Sequence, residues 1–448
     1  MTIDRRGMIS AAGLGLGLAV VAANDAAAEK RPSAPAAAPD ANLVPGAAAD
    51  QTAALQAAID AAVARGAPLT LEPGRYRIGR VTLRPRSILL GNSGAAILVA
   101  ARPGTLLAAE HAEGIVLSGF TLEGDATAAG AEDAAIALKH CTGVRLDGLV
   151  IRNALRAIAL DECSGHVSRI RIASIADAAI FSTDAKGLSI TDCEIEDCGN
   201  NAIQVWRRTA GEDGTIVARN RIAHVAARAG GSGQNGNGVN VFRAGGVLVE
   251  GNRISDCAYS AVRGNAASNI SIVGNSCVRI GEVALYAEFG FEGALISSNI
   301  VDDAAAGISV TNFNEGGRLA VVQGNLIRNL KRREAEPTDK RGEGITVEAD
   351  AAVTGNTIEN APTAGIVVGW GRYMRDVVVS ANLVRGTRHG ILVSSDAAAG
   401  ACFVTANMIA GARDGAIRAM REGVAFGPDL VRESTDNGRV RIVGNMAV

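Results

Sequence analysis

Arg263, Tyr286, Glu288 and Glu348 stand at alternate positions of three short apolar runs, "AVRGN", "ALYAEF" and "GITVEAD". Two carboxylates can divide general acid and general base work on a glycosidic bond, and an inverting pair sits about 6.5–9.5 Å apart. An arginine beside a tyrosine can instead serve a lyase, as the base that removes a proton next to a uronic-acid carboxylate. Arg263, Glu288 and Glu348 are therefore the candidate catalytic residues. Gln204, Trp206, Asn240, Phe242, Arg243 and Tyr286 fall in neighbouring runs as candidate substrate-binding residues. Ring faces pack on sugar C–H surfaces while amides and charges bond hydroxyls. Arg207, Arg208, Arg243 and Arg263 tilt the expectation toward an acidic glycan, because guanidinium grips carboxylates bidentately. The plainer reading makes the aromatics loop anchors and the glutamates solvated charge. What positions these residues decides between the two.

The runs belong to a repeat. "GVNVFRAGGVLVEGNRISDC" and "GISVTNFNEGGRLAVVQGNLIRNL" share one plan: a Gly-x-x-Val strand, a loop, a second valine strand, Gly-Asn and an isoleucine. Asparagine holds one phase nine times, at Asn220, Asn252, Asn275, Asn299, Asn325, Asn356, Asn382, Asn407 and Asn445. Phe120, Leu149, Ile170 and Cys193 continue the frame upstream, with a mean period of about 27 residues. Such a period marks a supersecondary unit that stacks on copies of itself. Alternating side chains within each run give three short strands and three bends per unit. The fold expected is all-β: a single parallel β-helix of about 13 coils, with asparagine at a sharp corner where the left-handed conformation is tolerated. Stacked asparagines would satisfy one another along the axis. Glu288 and Glu348, two coils apart, should then be separated by roughly 9–10 Å.

The repeats, with the opening "DQTAALQAAIDAAVARGAPLTLEPGRYRIG", resemble the right-handed β-helix superfamily of pectate lyases and polygalacturonases. That resemblance implies a substrate cleft along the Gly-x-x-Val strand row. Insertions agree, since "AARAGGSGQNG", "NFNEGGR", "WGRYMRD" and "KRREAEPTDKRGE" all flank that row. The clustered aspartates that polygalacturonases need are not visible there. The fold also hosts adhesins and binding modules, so a carbohydrate-active enzyme and a non-catalytic binding or envelope-structural protein both stay open.

Residues 1–28 carry Arg5 and Arg6, the mild apolar run "AAGLGLGLAVVAA" and a small-residue cleavage site, and resemble a twin-arginine export signal. With the repeats, this resembles a family of twin-arginine-translocated repeat proteins. It implies export in the folded state by that machinery to the periplasm or beyond. Residues 29–49 form an Ala/Pro linker, and residues 50–448 the β-helix, opened by a capping helix over 50–66 with Asp50 as N-cap. No stable membrane span is expected once the signal is cleaved. A formal net charge of −2 gives no basic field for nucleic acid. Seven cysteines, an odd number, form no disulfide framework, and the five histidines stand apart with no zinc spacing. No metal or other cofactor is expected.

Overall fold

The computed structural model describes residues 43–448, apart from 93–94, 128–129, 131–132, 232, 333–341, 433–434 and 437. Residues 1–28, expected to be an export signal, and nearly all of the expected linker lie outside the described residues. The rest is a right-handed parallel β-solenoid of about 13 turns with one short N-terminal helix.

Each coil contributes three strands, and each strand pairs in parallel with its counterpart one coil on. First-row strands carry Ile158, Ile180, Ile203, Val239, Val262 and Leu285 in register. The second row stacks Leu146, Val167, Ile190, Val217 and Val249. The third stacks Ile195, Ile222, Ile254, Cys277 and Val301. The second row belongs to a 16-stranded sheet, and the first and third rows merge into a 28-stranded one. Period-2 alternation sends these residues inward, where they form one continuous core. All seven cysteines are buried and free, as small inward hydrophobes. Cys198 and Cys257 are separated by Val225, so they sit two coils apart.

The asparagine corner works differently from the expectation. The left-handed residue is the one before each asparagine: Gly251, Gly274, Gly324, Gly355 and Gly444 at φ of 62–68°, and Arg219, Ser298, Ala381 and Ala406 at 55–58°. The asparagine itself is buried and ties coils together. Asn275 Oδ1 accepts from the backbone N–H and Nδ2 of Asn252, at 3.0 and 2.9 Å, while Asn275 Nδ2 donates to Val249 O and to Asn299 Oδ1. The same pattern runs unbroken from Asn220 to Asn445. The left-handed residue turns the chain, and asparagine bridges the coils.

Both ends of the core are covered. Helix α1, Thr52–Ala64, buries Leu55, Ala58, Ile59 and Ala62 against the first coil. Its N-cap is Gln51, one residue later than expected, and the Asp50 carboxylate instead accepts from the Thr52 N–H. At the other end Ile417–Arg421 and Val424–Asp429 form an antiparallel hairpin. Asp429 accepts from the N–H groups of Ala416 and Ile417, and so closes the exposed edge of the row.

Candidate functional site

Two outward columns run along the first row. One reads Glu110, Lys139, Asp161, Thr183, Trp206, Phe242, Asn265 and Glu288. The other reads Ala108, Ala137, Ala159, Phe181, Gln204, Asn240, Arg263, Tyr286, Ser309 and Thr346. The sequence-based row is therefore correct in register and direction. Its depth is not as expected, because several of its residues lie under loops.

Arg263, Glu288 and Glu282 are 6%, 2% and 4% exposed. Arg263 Nε donates to Glu288 Oε1 at 2.6 Å and Nη1 to Glu282 Oε2 at 3.0 Å, while Asn265 Nδ2 reaches the same Glu288 oxygen. The guanidinium also lies 5.0 Å from the centre of the Tyr286 ring. Burial opposes its charge, but Glu288 and Glu282 more than offset this and the arginine pKa is raised. A cation held this firmly is a poor base, so the lyase role for Arg263 is not supported. Gly233 seals the site from above. A Cβ there would lie 1.6 Å from Arg263 Nη1, so only glycine fits. Glu348 is engaged as well, accepting from the Phe313 N–H at 2.6 Å. Register places Glu288 and Glu348 two coils apart, as expected, but each has a structural partner.

The binding candidates divide similarly. Gln204 and Tyr286 are buried. Asn240 accepts from Trp206 Nε1 and donates to Gln234 O, so both ends of its amide hold structure. Trp206 lies between Phe181 and Phe242, with ring centroids 5.2 and 5.6 Å away. Arg243 covers the Phe242 ring at 4.7 Å and donates to Arg208 O. Arg208 is occupied by Asp161 and Asp184. Of the arginines behind the acidic-glycan expectation, Arg208 and Arg263 are thus neutralised within the protein and Arg207 lies 4.0 Å from Asp184. Farther along the row, Val367 and Leu392 form a satellite apolar cluster with Met420 of the C-terminal hairpin.

The open stretch lies upstream. Ala108, Ala137 and Ala159 floor a trough of about 700 Å³, within the range of ligand sites. Arg80, Lys139, Arg156 and Arg208 face Glu110, Asp133 and Asp161 along it, a mixed charge balance. Phe181 closes one end, and Arg156 covers its ring at 4.8 Å while bonding Asp177 at 2.8 Å. Sequence reasoning missed this site because its signal is small size. In "LAAE", "IALK" and "IALD" the outward alternate position is alanine. A second trough, about 590 Å³ over the third row, is lined by Arg171, Glu194, Arg221 and Arg253 and contains no aromatic side chain.

A parallel β-helix with loops piled on one strand row defines the class. The chain belongs to the right-handed β-helix region family, whose sequence pattern matches residues 134–327 and 210–384. No curated protein matches it in sequence. Among solved structures, it is similar to the tailspike of E. coli bacteriophage HK620 solved with a pentasaccharide. That superposition has a TM-score of 0.53 and 13% identity, over 85% of this chain and 76% of that one. The Streptococcus pneumoniae surface adhesin PfbA gives 0.47 and 16%, over 91% and 98%. The catalytic unit of an α-1,3-glucanase from Streptomyces thermodiastaticus gives 0.46 and 16%, over 94% and 70%. At such identities the likeness is one of fold.

Proposed function

We propose that this protein binds a polysaccharide in the upstream trough of its first strand row, and that it does so without cleaving it. The observation that carries this is the alanine-floored trough ending on Phe181, the first of three rings in successive contact. Alanines leave room for a sugar ring, the Phe181 side chain gives its C–H surface an apolar end wall, and mixed charges bond hydroxyls. The HK620 tailspike shows that this fold accommodates a pentasaccharide. Binding is favoured over catalysis because Arg263, Glu288 and Glu348 are all committed to internal contacts.

The test is titration of the purified protein with neutral and uronic-acid polysaccharides, following reducing ends and unsaturated product in parallel. Saturable binding of one glycan class with neither product supports the reading. Sustained product release would make the protein an enzyme, and no binding across the panel would remove the glycan site.

Export by the twin-arginine route belongs to the same proposal. Arg5 and Arg6 before a glycine-softened apolar run support it. So do seven unbridged cysteines, as suits a chain folded in a reducing compartment before transport. Replacing both arginines with lysine should strand the protein in the cytoplasm, and unimpaired export would reject that route.

A further inference from the structure

The corner that follows the first row repeats a left-handed residue at His111, His140 and Glu162 in consecutive coils, each at φ 51°. One conformation repeated at the coil spacing sends their side chains to one column. The His111 and His140 rings stack with centroids 4.6 Å apart and planes 12° from parallel. Glu110 Oε1 lies 3.7 Å from His111 Nε2, and Glu162 Oε2 lies 3.5 Å from His140 Nδ1. One donor atom from each of Glu110, His111 and His140 falls within 4.8 Å of the others. Tetrahedral zinc with bonds of about 2.0–2.2 Å holds its ligand atoms roughly 3.4 Å apart. Glu110 and His111 are exposed and His140 is half-buried, so rotation about χ angles, mainly of the first two, can close that difference.

We propose that Glu110, His111 and His140 form a binding site for a divalent transition metal, Zn²⁺ foremost. Two imidazoles and a carboxylate are a donor set that zinc takes in preference to calcium or magnesium, which favour oxygen. Glu162, facing Nδ1 of His140, orients that ring. Lys139 Nζ at 4.0 Å from Glu110 and Lys186 Nζ at 3.8 Å from Glu162 compete as exposed ion pairs. Such pairs are weak and yield to a dication. Cys141 and Cys163 lie nearby, but they are buried and turned to backbone carbonyls, outside the donor set. The two histidines are 29 residues apart in sequence, which is why no zinc spacing was visible. Glu110 and Lys139 also line the trough, so an occupied site places positive charge at its rim. That consequence rests on the polysaccharide reading, whereas metal binding does not.

The experiment is calorimetric titration of Zn²⁺ into chelator-treated protein without glycan, with Co²⁺ absorption reporting the ligand set. One equivalent should bind per chain, and His111→Gln and His140→Gln should each weaken it by about 10-fold or more. His224→Gln, at an exposed histidine on another corner, should leave the titration unchanged. Absence of stoichiometric binding would overturn the proposal. So would binding of equal strength in both His111→Gln and His140→Gln, since the metal would then sit elsewhere.

Discussion

Asn299 and Asn325 each donate to a backbone carbonyl and to the next asparagine, and each accepts two hydrogen bonds from the one before. Both are 1% exposed, so alanine would leave their partners without solvent. Asn299→Ala or Asn325→Ala should cost about 1–3 kcal/mol in denaturant melts; unchanged midpoints would remove the ladder from the stability account. The turn before the asparagine gives a separate test. A Cβ at Gly324 would meet nothing within 4 Å, so Gly324→Ala probes only the left-handed strain, about 1–2 kcal/mol. Ala406→Gly, at φ 55°, should shift the melt the other way. Arg263 belongs to the same scale. Removing one member of a buried ion cluster costs about 3–5 kcal/mol, so Glu288→Gln should act on stability and leave no catalytic signature.

Strand rows, corners and loops differ in how far the sequence specifies them. The rows were readable because period-2 alternation and the asparagine phase are local patterns, and the structure keeps that register through Glu288 and Glu348. Which loops lie down and which stand up was not readable. It depends on contacts between distant residues, such as Gly233 over Arg263 and Asn240 holding Gln234, and no periodicity encodes them. The sequence therefore points to middle coils that loops cover, several coils along the chain from the proposed trough. Corners also carry charges between coils: Asp192 with Arg219, Asp256 with Arg279 and Asp350 with Arg375. Hydrogen bonds from these arginines hold all three carboxyls below the usual aspartate range. A depressed folded pKa contributes stability above the unfolded value and loses it as pH falls. Asp213, raised by burial, has the opposite sign. Six further carboxyls, Asp50, Asp60, Glu123, Asp125, Asp302 and Asp414, are lowered too, and burial lowers His389. The melting temperature should therefore begin to fall as pH drops through about 6.5 and fall further below about pH 4. A rise on acidification would contradict the corner pairs.

At the scale of the molecule, the solenoid presents one long face whose use changes along its length. The C-terminal coils end in the hairpin, whose Met420 packs with Val367 and Leu392. Loops seal the middle coils over Arg263 and Glu288, and the coils from Ala108 to Phe181 stay open. Trp206 is a poor place to test this arrangement, because it packs on two rings and its loss should destabilise the column. Phe181→Ala reaches the trough more directly. The most direct measurement is hydrogen exchange, read by mass spectrometry, with and without the glycan identified by titration. The trough account predicts slowed exchange in peptides spanning 105–111, 133–139 and 156–161, no change over 226–237, and loss of the effect in Phe181→Ala. Protection confined to 226–237 and the strands around Arg263 and Glu288 would contradict it and return the site to the buried cluster.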